Sequence, residues 1–414
     1  MAAGEAGEGS RMAMRILTRM AGVLGAERLL DITSAHIDGC LYHGYSGLEF
    51  AERLVEGEAR VRVPTTLNVG ALDLLHPDRF QGSEQVREWG GRLMAAYEEM
   101  GCRPTWTCAP YQLPEVRPAV GEQVAWAESN AIVFANSVFG ARTNRYGDFI
   151  DICAAIAGRV PAAGLHLTEN RRGQVVFDLR RLPRRLVAAE TFYPVLGYHV
   201  GERCRTRIPV LVGLPPETDQ DRLKALGAAA ASSGAVALFH AVGITPEAPT
   251  LGVALHGGPP EELIEPTIAQ LEATWRKLST APDGPLTAVA LGSPHFSLAE
   301  FESLLPLVRS HPPHESVELV VCTNRWALDL IDERGWRDEL ERLGVRLVVD
   351  TCVVVTPILR GVEGVLMTNS GKFAHYTPGN INREVVFGSL EECVRSAASG
   401  RVERDDLWSM GGEG

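Results

Sequence analysis

The eight cysteines of this 414-residue sequence form no Cys-x-x-Cys pair, which excludes the usual zinc-ribbon and thioredoxin-type sites. The sequence also lacks a basic run, and its formal net charge of −12 argues against a nucleic-acid partner, because phosphate binding needs a basic face. No apolar run reaches the roughly 18 to 20 residues that a membrane-spanning helix needs. The amphipathic N-terminal segment lacks the uninterrupted apolar core of a secretory signal. We therefore expect a cytoplasmic protein that binds neither nucleic acid nor a membrane.

The length and composition predict a multi-domain globular protein. A chain of 414 residues is too long for one compact core, while 45% hydrophobic and 22% charged residues are ordinary for a soluble protein. Residues 1–12 are predicted to be disordered. Three α/β regions are expected to follow, over 13–205 with the anion-binding loops, 206–285, and 286–414 with the loops of Ser293 and Cys352.

From residue 208 onward, apolar runs alternate with helical patterns. Buried strands are predicted at 208–212, 235–239, 287–291, 317–322, 345–349 and 364–367. Helices are predicted at 221–232, 260–278, 297–307, 328–343 and 389–398. This alternation predicts an α/β fold with parallel sheets flanked by helices.

The stretch 126–145, WAESNAIVFANSVFGARTNR, is the strongest local candidate for a binding site. Its apolar positions predict a helix, followed after Gly140 by a turn rich in hydrogen-bond donors. Arg142 and Arg145 suit a small anion, since a guanidinium binds a carboxylate or phosphate through two hydrogen bonds. The alternative, a helix end whose arginines bind nearby carbonyls and solvent, stays open. The other polar candidates here are Glu128, Ser129, Asn136, Ser137, Thr143 and Asn144.

Further polar groups lie in or just after predicted strands, where the loops of an α/β fold collect ligands. In the first region they are Ser34, His36, Asp38, Thr65, Thr66, Asn68 and Cys108. In the last region they are Ser293, His295, Cys352 and Lys372. Turn and cap chemistry explains most such residues. Cys352 is harder to explain in that way, because it lies between an acidic residue and a buried strand.

Eight segments, in this order, resemble the large subunit or catalytic domain of the aconitase X family. They are ITSAHIDG, PTTLN, TCAPY, WAESNAIVFANSVFGARTNR, SSGAVALFHAVGITPEA, LGSPHFS, DTCVVVTP and TNSGKFAHY, spread between about residues 30 and 398. The resemblance implies an aconitase-like multi-domain α/β architecture that holds an iron–sulfur cluster and is completed by a small swivelling domain or subunit. Because the large part accounts for the whole length, we expect a separate small partner.

By this resemblance, Cys108 and Cys352 are cluster ligands. Ser293 takes the position where the archaeal phosphate-acting members usually have a cysteine, and a hydroxyl is a poor ligand for cluster iron. A 2Fe–2S cluster is therefore favoured over a 3Fe–4S or 4Fe–4S cluster, with Ser293 as the third residue of the metal site. Cys153 and Cys393 lie in helical patterns and are expected to pack in the core.

The resemblance also implies the dehydration of a small hydroxy acid. Ser293 favours cis-3-hydroxy-L-proline, converted to 1-pyrroline-2-carboxylate; the alternatives are a mevalonate 5-phosphate dehydratase and a non-catalytic, metabolite-sensing subunit of the same fold. Arg142 and Arg145 are expected to hold the substrate carboxylate, with Lys372 as a further anion contact. The candidates for the proton-abstracting base are His36, Glu128 and His295, unless the partner supplies that base.

Overall fold

A computed structural model of the chain describes residues 7–361, 363–405 and 407–408. It confirms the predicted α/β class, with parallel sheets flanked by helices. Residues 1–6 of the segment predicted to be disordered lie outside the described residues. Glu8 already begins a helix, which is ordered because Ala13, Leu17 and Ala21 are buried against the first core. Within the described ranges, no helix is long and apolar enough to cross a bilayer.

The first group of elements surrounds a short parallel sheet. Its elements are α1 (Glu8–Val23), β1 (Leu29–Asp31), β2 (Ala35–Ile37), α2 (Tyr45–Glu56), β3 (Thr65–Leu67), α3 (Glu84–Glu99), β4 (Ala125–Trp126), α4 (Ser129–Ser137), α5 (Ile150–Ala157) and β5 (Arg159–Pro161). The strand order β3–β2–β4 is parallel throughout, and β1 pairs with β5 antiparallel. Every residue of α5 is buried, so this helix forms the centre of the first core.

The second group contains a four-stranded parallel sheet in the order β8–β7–β6–β9. Its elements are β6 (Val175–Asp178), α6 (Arg184–Ala188), α7 (Phe192–Cys204), β7 (Pro209–Val212), α8 (Gln220–Ser233), β8 (His240–Ala241), α9 (Leu251–Ala254), β9 (Glu262–Ile264) and α10 (Ile268–Lys277). Strand β6 pairs with β7, although it precedes the boundary expected at residue 205. We therefore propose that the second region begins near residue 173.

The third group contains a five-stranded parallel sheet in the order β12–β11–β10–β13–β14. Its elements are β10 (Leu286–Phe296), α11 (Leu298–Ser310), β11 (Glu318–Thr323), α12 (Arg325–Glu333), α13 (Trp336–Arg342), β12 (Val345–Val348), β13 (Val365–Thr368), α14 (Gly371–Ile381), β14 (Val385–Phe387) and α15 (Leu390–Ser399). The single helix predicted over 328–343 is two helices, because Gly335 adopts a left-handed conformation between them.

Strand β10 is irregular near its carboxyl end. Its pairing with β11 shifts register between Leu291 and Phe296, which is the geometry of a bulge. Gly292 makes this bulge possible: its φ is +85°, and a Cβ there would lie 2.0 Å from the carbonyl oxygen of Cys322. The bulge carries Ser293 and His295, which the sequence predicted just beyond the strand.

Candidate functional site

Buried thiols from the first and third groups meet where the strands of the two sheets end. Cys108 follows a segment that runs beside β3, and Cys352 follows β12. Both are buried, and both belong to one apolar cluster that also contains Cys322. The negative charge of a Cys352 thiolate raises the pKa of Cys108, as expected for two neighbouring thiols. Two thiols that lie far apart in sequence therefore share one site.

The surroundings of Cys352 favour its thiolate form. The nearby Cys322 thiol lowers the pKa of Cys352 most, and the backbone N–H of Val354, the charge of Lys372 and the Ser293 hydroxyl act in the same direction. Burial instead raises the pKa of Cys108 to about 12, although the nearby ammonium of Lys372 opposes that rise.

A buried ion pair lies beside the thiols. Lys372, in the first turn of α14, donates to a carboxylate oxygen of Glu128, and the two side chains are 10% and 6% exposed. Glu128 caps α4 by accepting from the backbone N–H of Ala131 at 2.8 Å. The same carboxylate also accepts from the side chains of Ser129 and Asn130. Four donors therefore occupy its oxygens, which leaves Glu128 poorly suited to the role of proton-abstracting base.

Asp38, which follows β2, brings a second carboxyl group to the site. The amide of Asn68 donates to it, and its own backbone N–H donates to Asp151 at 2.8 Å. Burial and the negative charges of Glu128 and Asp148 raise the pKa of Asp38 to about 7. We assigned Asp38 no chemical role from the sequence, although its position directly after a strand was a usable signal.

The two histidines proposed as bases are buried, and the pKa of each lies well below its ordinary value. Burial lowers the pKa of His36 to about 3, and its Nδ1 lies 2.8 Å from the Thr66 hydroxyl. Burial lowers the pKa of His295 to about 4. Its Nδ1 lies 3.1 Å from the Thr107 hydroxyl, and its Nε2 lies 3.2 Å from the carbonyl oxygen of Thr351. Neither ring nitrogen of His295 is left to accept a substrate proton.

The turn after α4 returns to the end of β4, because the Thr143 hydroxyl bonds both the backbone N–H and the carbonyl of Trp126. Arg142 donates to the carbonyl of His166 at 3.2 Å, and the exposed Arg145 donates to the carbonyl of Ala231. The Nε of Arg142 is buried and has no hydrogen-bond partner among the described residues. Both arginines bind backbone carbonyls, and the anion pocket stays a prediction.

The remaining predicted residues divide into two sets. Ser129 and Asn68 lie at the site through their bonds to Glu128 and Asp38. The others make structural hydrogen bonds elsewhere: Asn136, Ser137, Thr143 and Asn144 tie the end of α4 to neighbouring segments, and Thr65 bonds the carbonyl of Val63. Ser34 precedes β2 and lines a small cleft of about 150 Å³ at the opposite end of that strand from Asp38.

A cavity of about 410 Å³ adjoins the bulge of β10. Ser293 and Pro294 form part of its wall, together with Ser370, whose hydroxyl donates to the carbonyl of Ser293. Its one lysine, Lys224, is already paired with Asp221 and Glu300. Acidic side chains outnumber basic ones in the lining: Glu190, Asp219, Asp221 and Glu300 against Arg222 and Lys224.

The donor set at the site fits an iron–sulfur cluster. Two thiol sulfurs and the Ser293 hydroxyl lie together, and the backbone N–H of His295 donates to the Cys108 sulfur at 3.3 Å. Thiolates are the usual cluster ligands, and hydrogen bonds from N–H groups to the sulfurs tune the reduction potential of such clusters. In the part of the chain that the structure describes, no three His, Cys, Asp or Glu side chains converge on one ion position. Inorganic sulfide would have to complete the coordination of iron here.

Comparison with known proteins covers nearly the whole chain. Family models match as the aconitase X first domain at residues 1–169, second domain at 173–276 and third domain at 286–399. A cis-3-hydroxy-L-proline dehydratase from Pseudomonas aeruginosa is 45% identical over 96% of this chain and 69% of its own length. A phosphomevalonate dehydratase large subunit from Methanosarcina mazei is 36% identical over 97% of this chain and 96% of its own. The crystal structure of Thermococcus kodakaraensis aconitase X in its holo-form matches with a TM-score of 0.85 at 34% identity, over 96% of this chain and 97% of that one.

Proposed function

Because this chain belongs to the aconitase X family, we propose that it is the large catalytic chain of an iron–sulfur hydro-lyase that dehydrates cis-3-hydroxy-L-proline to 1-pyrroline-2-carboxylate. One observation carries the proposal: the Cys108 and Cys352 thiols meet beside the buried Glu128–Lys372 ion pair. The relatives described above are dehydratases with two different substrates, so family membership alone does not identify the substrate.

Cys108 and Cys352 would hold the cluster, with Ser293 as a third, weaker donor. A set of two thiolates and one hydroxyl favours a 2Fe–2S cluster over larger ones. When bound, the cluster supplies Lewis-acidic iron for the hydroxyl group that leaves.

The chain's own charged groups would do the remaining work. Lys372 has three donor hydrogens, so it can bind a substrate carboxylate while it keeps its bond to Glu128. Asp38 exchanges a proton near neutral pH, so its protonated form can give that proton to the departing oxygen, which leaves as water. The base that removes the carbon-bound proton would come from a small swivelling partner. Burial lowers the pKa of His36 to about 3, and His295 and Glu128 already bond other groups.

The charges near the site favour the amino acid over the phosphorylated acid. A phosphate dianion needs more than one cationic partner, but Lys372 shares its charge with Glu128 and Lys224 is paired with two carboxylates. The acidic lining of the adjoining cavity suits a substrate that carries an ammonium group, as hydroxyproline does. The higher identity to the Pseudomonas dehydratase supports the same choice.

The test is an assay of the anaerobically purified chain, combined with a small swivelling partner, on both substrates. We expect turnover of cis-3-hydroxy-L-proline. Turnover of mevalonate 5-phosphate alone would overturn the substrate, and binding without turnover of either would favour a sensing subunit. Cys352→Ser should remove the iron and the visible absorption, whereas Cys393→Ser, in the buried face of α15, should keep both. An active but iron-free wild-type protein would refute the cluster.

A further inference from the structure

The two segments that lead to the thiols have the same local form. Each reads X-Thr-Cys, as Trp106-Thr107-Cys108 and Asp350-Thr351-Cys352. In each, the first residue is not glycine and yet has a positive φ, +41° at Trp106 and +63° at Asp350. Such a conformation persists only where surrounding contacts hold it. Contacts that hold both segments at once would also fix the two thiols relative to each other.

A single side chain from a third segment joins the two threonines. The fully buried ring of His295 contacts the Thr107 hydroxyl through Nδ1 at 3.1 Å and the Thr351 carbonyl oxygen through Nε2 at 3.2 Å. The backbone N–H of the same residue donates to the Cys108 sulfur at 3.3 Å. One residue therefore contacts both X-Thr-Cys segments and one of the two sulfurs.

The hydrogen-bond pattern fixes the proton positions on this ring. A carbonyl oxygen only accepts, so Nε2 must carry the proton that reaches Thr351. Nδ1 is then an acceptor, and Thr107 donates to it. The Thr107 oxygen already accepts from the backbone N–H of Ala109 at 3.0 Å, which leaves its own hydrogen free for Nδ1.

The backbone of His295 is itself held in place. Its carbonyl oxygen accepts from the Gln112 side chain at 2.8 Å, and Gln112 accepts in turn from Asn324 at 2.5 Å. Asn324 caps α12 in the third group, and Gln112 belongs to the first group. This chain of bonds spans the junction between the two groups that supply the thiols.

We infer that His295 is a positioning residue that sets the separation and orientation of the Cys108 and Cys352 thiols before any metal binds. The inference deepens the proposed function, since it concerns the same thiol pair. It differs from the base role expected for His295 in the sequence, because both of its nitrogens are used to hold protein groups. A ring that holds two loops together does so whether or not the substrate is turned over.

The test uses cobalt(II) as the probe, added to the full, metal-free, reduced chain, and follows the thiolate-to-cobalt absorption. His295→Ala removes both ring contacts and should weaken cobalt binding by about tenfold or more, since losing one ordinary hydrogen bond gives a factor of up to about ten. His295→Gln can still reach Thr351 with an N–H group, so its cobalt affinity should lie between those of the wild type and His295→Ala. His240→Gln is the matched control, because His240 is also buried, lies in β8 of the second group, and bonds the carbonyl of Arg171 through its Nε2.

Thr107→Val is a milder second variant, in case His295→Ala does not fold. It keeps the shape of the side chain and removes only the hydroxyl that reaches Nδ1 and Ala109. It should also weaken cobalt binding and shift the thiolate band. Wild-type affinity in His295→Ala or in Thr107→Val would overturn the inference, as would a wild-type chain without a thiolate band. The readout needs no turnover, so a failed dehydratase assay would leave this conclusion untouched.

Discussion

The ammonium group of Lys372 binds the carboxylate of Glu128 although 244 positions of sequence separate the two residues. The pair joins the first turn of α14 in the third group to the N-cap of α4 in the first group. Both side chains are almost fully buried, so each charge depends on the other for its stability. Burial alone would lower the pKa of Lys372, but the negative charge of Glu128 raises it above its ordinary value.

Lys372→Met should lower the free energy of unfolding by about 3 kcal/mol or more, because it leaves the Glu128 carboxylate buried without its cation. The double variant Lys372→Met with Glu128→Gln should recover much of that loss. Lys277→Met is the control, since its pair with Glu202 is largely exposed and should be worth less than about 1 kcal/mol. Urea unfolding measures all three. Equal losses of unfolding free energy in Lys372→Met and Lys277→Met would show that the buried pair contributes no more stability than the exposed pair.

Asp38→Asn should change the pH dependence of turnover. The pKa of Asp38 is raised to about 7, so the carboxyl group is protonated below that pH and loses its proton above it. If the protonated form gives its proton to the leaving oxygen, kcat falls as the pH rises through about 7. The groups that face Asp38 are Glu128, Asp148 and Lys372, together with the amide of Asn68.

The Asp38→Asn variant cannot supply this proton and should have a low kcat without the falling limb near pH 7. The measurement is kcat between pH 5.5 and 9, with Asp31→Asn as the control, because Asp31 is exposed and paired only with Arg159. If the fall of kcat near pH 7 persists unchanged in the Asp38→Asn variant, another group is responsible for that titration.

The alternation of strands and helices after residue 208 was predictable because buried parallel strands read as continuous apolar runs. The predicted run 345–349 is β12 (Val345–Val348), and the helix predicted from residue 297 is α11, which begins after its cap, Ser297. The first sheet was harder to predict, since β2, β3 and β4 have only two or three residues each and show no period. Trp126, for example, was placed on a helix face but belongs to β4, because α4 starts only after its cap, Glu128.

The site was predictable where residue chemistry is unusual and unpredictable where it depends on distant backbone. Cys352 stood out because turn geometry gives no reason for a buried thiol there. Arg142 and Arg145 donate to the carbonyls of His166 and Ala231, and no local sequence pattern predicts these contacts. The link from His295 to both threonines likewise exists only in the folded chain.

Arg142→Lys should leave substrate kinetics nearly unchanged, within about twofold, since the side chain already binds the carbonyl of His166. It should cost about 1 kcal/mol of stability through the weakened bond to His166. Kinetic constants and urea unfolding are measured on the same preparation, beside Lys372→Arg, which alters a group at the site. A tenfold rise in KM for the hydroxy acid would restore Arg142 to the substrate pocket.

Gly292→Ala should damage the site without touching any polar group. The new Cβ would lie 2.0 Å from the carbonyl oxygen of Cys322, and φ at this position is +85°, so the bulge of β10 must move. We expect a loss of about 1 to 3 kcal/mol in stability. Because the bulge carries Ser293 and His295, the iron content of the anaerobically purified chain should fall as well. Gly284→Ala is the matched control, as its Cβ would meet nothing within 4 Å. If Gly292→Ala kept the wild-type iron content at reduced stability, the bulge would matter for folding alone. The contacts of His295 would then have to persist after the bulge had moved.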